Sequence, residues 1–151
     1  MANTQAVCTS FKVDLLNGIH AFGTTVARGG TTKDTFKAAL YLSTATVNGT
    51  TTAYSSTNEV TGTNYVPGGV EVTDATEPTA GAGTTAYWTP SASIVYTTVT
   101  VGPTDAVLIY NSTQSDKAVA VYTFSAQTVT AGTLTLTMPT NDGSTGLLRI
   151  A

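Results

Sequence analysis

The sequence predicts a mainly β protein, an antiparallel β-sandwich or partly closed barrel with one short N-terminal helix. Three observations carry this. About a fifth of the 151 residues are Thr, whose β-branched side chain suits a pleated, half-buried surface. Period-2 apolar alternation recurs along residues 35–151, broken at short intervals by Gly, Pro, Asn and Asp turns. Helical spacing of apolar residues appears in a single place, near the start.

That place is "TSFKVDLLNGIHAFG", residues 9–23, where Phe11, Leu15, Leu16, Ile19 and Phe22 fall on one helical stripe. Thr9 or Ser10 can cap its start and Gly18 or Gly23 its end. A lone amphipathic helix cannot bury its stripe by itself, so it must lie on a sheet or on a neighbouring subunit. "GTTVARGGTTKD" then reads as flexible and divides the chain. Residues 1–30 are expected to form an arm with the helix, and residues 31–151 the β-domain.

In "TFKAALYLST", Phe36, Ala38, Leu40 and Leu42 alternate with Lys37, Ala39 and Tyr41, which predicts a strand with one drier face. Asn48-Gly49 supplies a turn, "TAYSSTNEVT" is irregular, and Pro67-Gly68-Gly69 opens a strand at Val70 and Val72. "TAGAGTT" is a loop. "TAYWTPSASIVYTTVTV" alternates with Pro90 as an interruption, and "AVLIYNST", "KAVAVYTFS" and "GTLTLTMP" predict three further strands. Their joints are "NSTQSD" and "AQTVTAG". In the last strand Leu134, Leu136 and Met138 face one way and Thr133, Thr135 and Thr137 the other. "TGLLRIA" closes the chain.

Composition bounds the function classes. Only 10 % of residues are charged, against roughly a quarter in an average soluble domain, while 41 % are hydrophobic. A core can form, and little like-charge repulsion opposes association with copies or partners. The net charge is −3 and the six cations are scattered singly, so a nucleic-acid partner is not expected. No apolar run reaches the roughly 18 residues of a membrane span. The start lacks the basic and apolar regions of a secretory signal. One cysteine, Cys8, excludes an internal disulfide and a multi-cysteine zinc site.

Candidate chemistry is sparse. Cys8, Asp14 and His20 include a nucleophile, an acid and a base. On a continuous helix, however, Asp14 and His20 lie on opposite faces, so a buried small thiol and a His on the polar face are expected instead. Glu59, Glu71, Asp74 and Glu77 lie close in sequence, and "TNDGSTG" resembles a fragment of a calcium loop that lacks most of the required oxygens. "ARGGTTKD" lacks the G-K-[ST] ending of a phosphate loop. Tyr87 and Trp88 are the best-placed aromatic pair for stacking on a sugar, with a core or interface pair as the structural reading. No catalytic, cofactor or metal residue is assigned. In "STNEVTGTNYVPGG", Glu59 stands either as a ligand or at the corner of a β-protein, with Pro67-Gly68-Gly69 as the turn.

The blocks "CTSFKVDLLNGIHAF", "DTFKAALYLSTATVNGTTTAYSSTNEV", "GTNYVPGGV", "DAVLIYNST…KAVAVYTF" and "GTLTLTMPTNDGSTGLLRIA", in that order, span nearly the whole chain. In this order they resemble a family of small virion structural proteins of tailed bacteriophages. The resemblance implies a capsid decoration, or cement, protein, with a tail or fibre component as the alternative. It implies the major capsid protein as partner, self-association as a trimer, and a place on the virion after synthesis in the host cytoplasm. Phe11, Leu15, Leu16, Ile19 and Phe22 are then the expected capsid or subunit contact, and Tyr87 and Trp88 the expected glycan contact of the tail alternative.

Overall fold

The structure, a computed structural model, describes residues 2–23, 32–74, 76–81 and 83–151. The Gly-rich stretch at 24–31, with most of the expected flexible joint, lies outside the described residues. In chain order the elements are β1 Ala6–Val7, α1 Thr9–Leu16, β2 Phe36–Leu42, β3 Val70–Glu71, β4 Thr79–Ala80, β5 Ala86–Trp88, β6 Ile94–Asn111, β7 Lys117–Leu136 and β8 Leu148–Ile150. Among the described residues they form two antiparallel sheets, β1-β7-β6-β2-β3 and β4-β5-β8, with one short helix and no closed barrel. The mainly β fold with a short N-terminal helix is therefore present.

The strand count differs from the alternation pattern. Residues expected to form separate strands fuse into β6 and β7, a long hairpin whose register shifts repeatedly between Tyr96 and Tyr110. Gly102 and Pro103 pass through β6 at such a shift, where a missing N–H leaves no gap in a regular ladder. "AQTVTAG" likewise continues β7 because its Thr and Val residues suit extended backbone and no Pro stops it. The predicted alternation near its end holds, with Leu134 buried and Thr133, Thr135 and Thr137 exposed.

β2 lies between β6 and β3 and is covered on both sides. Phe36, Ala38, Ala39, Leu40 and Tyr41 are all buried, so the expected wetter face of Ala39 and Tyr41 does not exist. The reason is the irregular segment at 54–69, which folds over that face and stacks Tyr54 on Tyr110, ring centroids 4.8 Å apart. Past the end of β3, side chains complete the ladder: the Tyr65 hydroxyl accepts from the Leu40 N–H at 2.9 Å, and the Tyr96 hydroxyl donates to the Ala38 carbonyl at 2.8 Å. Gly69, at φ +74°, passes so close to β2 that a Cβ would lie 1.7 Å from the Ala38 carbonyl oxygen. Only glycine fits both the conformation and the approach.

The N-terminal residues are part of this body. Val7 pairs with Ala120 at the edge of β7, Thr4 N–H donates to the Val47 carbonyl, and Thr9 N–H to the Gly49 carbonyl. Residues 2–23, expected as an arm apart from the β-domain, are hydrogen-bonded into it.

Candidate functional site: an apolar cleft beside the N-terminal helix

The helix is shorter than its apolar stripe suggested. Gly18 adopts φ +66°, its N–H bonds the Leu15 carbonyl and the Ile19 N–H bonds the Asp14 carbonyl. These two bonds form a Schellman cap, so α1 stops at Leu16 and the chain reverses. Ile19 and Phe22 therefore do not extend a helical stripe.

The reversal brings His20 back to Asp14, contrary to the opposite-face expectation of a continuous helix. His20 Nε2 lies 3.7 Å from Asp14 Oδ2, and the imidazole has no exposed surface, which corrects its placement on a polar face. Asn111 Nδ2 donates to His20 Nδ1 at 2.9 Å, which assigns the ring proton to Nε2, toward Asp14. Lys117 Nζ donates to both Asp14 oxygens at 3.0 and 3.1 Å and ties α1 to β7. Asn111 Nδ2 also donates to Asp34 Oδ2, while its Oδ1 accepts the Thr113 and Gln114 N–H groups. This polar network lies under an aromatic layer in which Phe22 stacks on Phe36 at 4.3 Å and meets Trp88 at 4.8 Å.

Burial holds the His20 imidazole below its ordinary value, against the opposing pull of Asp14 and Asp34. A base whose folded pKa is lowered binds its proton more readily in the unfolded chain. Its contribution is thus intact above the unfolded value of 6.5 and is lost as the pH falls below it. Wild type is expected to lose stability between pH 7 and 5.5 more steeply than His20→Gln. The excess cannot exceed about 1.4 kcal/mol per pH unit, the limit for one proton. Urea unfolding at each pH measures it, and parallel curves for the two proteins would exclude His20 as the cause.

The cleft lies between α1 and the β5–β8 edge of the second sheet, with a volume of about 840 Å³. Phe11, Leu15, Leu16, Phe22, Tyr87 and Trp88 all line it, so most of the residues expected at a protein contact and both expected at a glycan meet in one place. Ile19 is not among the lining residues. Phe11 forms the buried floor, whereas Leu16 is 90 % exposed on one wall and Ile150 58 % on the other. Leu16 and Ile150 thus present apolar side chains to solvent across the opening.

Trp88 is not an open sugar platform. It is 3 % exposed, its ring is wedged against Phe22, and its Nε1–H is shared by Asp74 Oδ1 at 3.1 Å and the Thr76 carbonyl at 3.0 Å. Trp88 belongs to the core, whereas Tyr87 is half-buried at the cleft. Asp74, pushed above the usual carboxylate range by burial, also accepts the Gly23 N–H and so fixes the chain beyond Phe22.

The other sequence candidates are engaged structurally. Cys8 is buried against the Asn48 carbonyl and its thiol is pushed up to about 11 by burial, so it remains a thiol at neutral pH. Asp142 Oδ1 accepts the Ser144 and Thr145 N–H groups at 2.7 Å, which holds its carboxyl below the usual range within a turn. Among the described residues no group of three His, Cys, Asp or Glu side chains is placed to hold a metal ion. Glu59 is 5 % exposed and accepts hydrogen bonds from Tyr54, Tyr65 and the Gly68 N–H. It is the hub of a corner.

Sequence reading missed Lys12, Leu148, Arg149 and Ile150, which also line the cleft. Nothing in local periodicity joins the last strand to the first helix; β8 reaches the cleft by pairing with β5. Comparison with protein-family models, curated proteins and solved structures finds no match to this chain.

Proposed function

We propose that this chain is a structural protein of a tailed-phage virion that decorates the capsid as an oligomer, a trimer, and acts by binding and not by catalysis. The observation that carries the reading is the open cleft with Leu16 and Ile150 exposed on its two walls, on a charge-poor β-body. The block order resembling virion structural proteins supports it. In this reading the cleft grips the major capsid protein across a seam between subunits, and repetition over the shell multiplies a modest contact into firm retention.

A cryo-EM reconstruction of the virion that carries the chain tests the location. Density over the head at local three-fold positions is the expected result, and density confined to the tail would sink the capsid reading. Deleting residues 1–30 is a poor binding test, because β1 and α1 are hydrogen-bonded into the fold. Leu16→Glu is the cleaner probe, since a side chain 90 % exposed has little role in stability. It is expected to weaken head binding about tenfold or more with the unfolding curve unchanged.

A further inference from the structure

The cleft carries a sign as well as a shape. Among the described residues its charged side chains are Lys12 and Arg149, with His20 and Ala151 also on the lining, and no described Asp or Glu side chain lines it, although carboxylates outnumber Lys and Arg nine to six along the sequence. Lys12 precedes Leu16 by one helical turn, so charge and exposed apolar group stand side by side on α1. Arg149 stands between Leu148 and Ile150 on β8, and its Nη1 donates to the Ser144 carbonyl, which fixes the guanidinium at the opposite wall. Asp142, whose carboxyl Arg149 helps to hold below the usual range, stands near that guanidinium, and Lys117 is paired with Asp14.

We infer that the element received by the cleft is an acidic, apolar segment of the capsid partner, with one or two large apolar side chains flanked by carboxylates. The inference rests on the capsid reading above and adds the chemistry of the partner. The apolar side chains enter between Leu16 and Ile150 and cover Phe11 and Leu15, while the carboxylates meet Lys12 and Arg149. A basic segment of equal apolar area would set its own cations against these two. Because the chain as a whole is acidic, attraction for such a segment is confined to the cleft, so the two cations set register and selectivity more than bulk affinity.

Co-sedimentation with purified heads lacking this protein, at 50 and 500 mM NaCl, tests the inference with the full chain. Lys12→Gln combined with Arg149→Gln is expected to bind about tenfold less than wild type at low salt and within about twofold of it at high salt. The charge-preserving pair Lys12→Arg with Arg149→Lys is expected to bind like wild type at both. Lys12→Gln alone, which leaves the Arg149 contact to Ser144 intact, is expected to show part of the loss. An unchanged salt dependence in the double Gln variant, with Leu16→Glu still defective, overturns the acidic segment and leaves the capsid reading standing. Wild type that does not bind heads overturns both. Loss of self-association in the Gln variants with head binding intact also overturns it, because a second copy would then occupy the cleft.

Discussion

Glu59→Ala is expected to lower the unfolding free energy by about 4 kcal/mol, because three donors would lose their acceptor inside the protein. Glu59 Oε1 takes the Tyr65 hydroxyl and the Gly68 N–H, each at 2.7 Å, and Oε2 takes the Tyr54 hydroxyl at 2.6 Å. Burial and the facing carboxylate push both tyrosines up, so they hold the protons they donate. The same corner is tied to β2, since Val60 N–H donates to the Leu40 carbonyl and Leu42 N–H to the Asn58 carbonyl. Without the carboxylate, residues 54–69 lose the centre that holds them over β2. Urea denaturation is the measurement, with thermal unfolding expected to drop by about 10 °C or more for a chain of this size. Glu59→Gln separates charge from geometry. Its carbonyl can accept from Tyr65 and Gly68 while its amide donates to the Tyr54 oxygen, so a loss of only about 1 kcal/mol is expected. Equal losses in the two variants would mean that the charge itself holds the corner.

Asn111→Ala is expected to cost about 3 kcal/mol for the same physical reason at a different place. The side chain is fully buried and uses all of its hydrogen-bonding capacity: two donations, to His20 and Asp34, and two acceptances, from Thr113 and Gln114. It joins the turn between β6 and β7 to the chain that follows α1, and so supports the cleft from below. Asn111→Asp keeps the shape but sets a carboxylate against Asp34. A proton bound on the new carboxylate or on the adjacent His20 Nδ1 relieves that repulsion, so the stability deficit should shrink as the pH falls, where Asn111→Ala shows no such recovery. Denaturation of the three proteins at two pH values distinguishes an amide held for its hydrogen bonds from one that only fills space.

Both residues show how far local sequence reading reaches. "STNEVTGTNYVPGG" left Glu59 open as a ligand or as part of a corner, with the Pro-Gly-Gly turn as the only local signal. The identity of its partners depended on residues folded over β2 that periodicity does not relate. Asn111 carried no signal beyond a turn residue at the end of an apolar run. The apolar stripe of α1 was legible, but its length was overestimated, since a Gly at position 18 is compatible with a helix that continues and with one that stops. The Schellman cap settled the choice and, with it, the pairing of His20 and Asp14.

By itself the sequence determined the β class, the single helix, the strand at Phe36–Leu42, the Thr-out alternation near Leu134 and the scarcity of charge. Those follow from side-chain shape and from periods of 2 and 3.6, which are local properties of the chain. Tertiary structure alone decided that the predicted strands fuse into one long hairpin, that β2 is covered on both faces, and that Trp88 is core. It also decided that α1 and β8, at opposite ends of the chain, share a cleft lined by Lys12 and Arg149. Such juxtapositions come from long-range strand pairing, whose free energy depends on contacts between residues far apart in sequence and so leaves no local pattern to read.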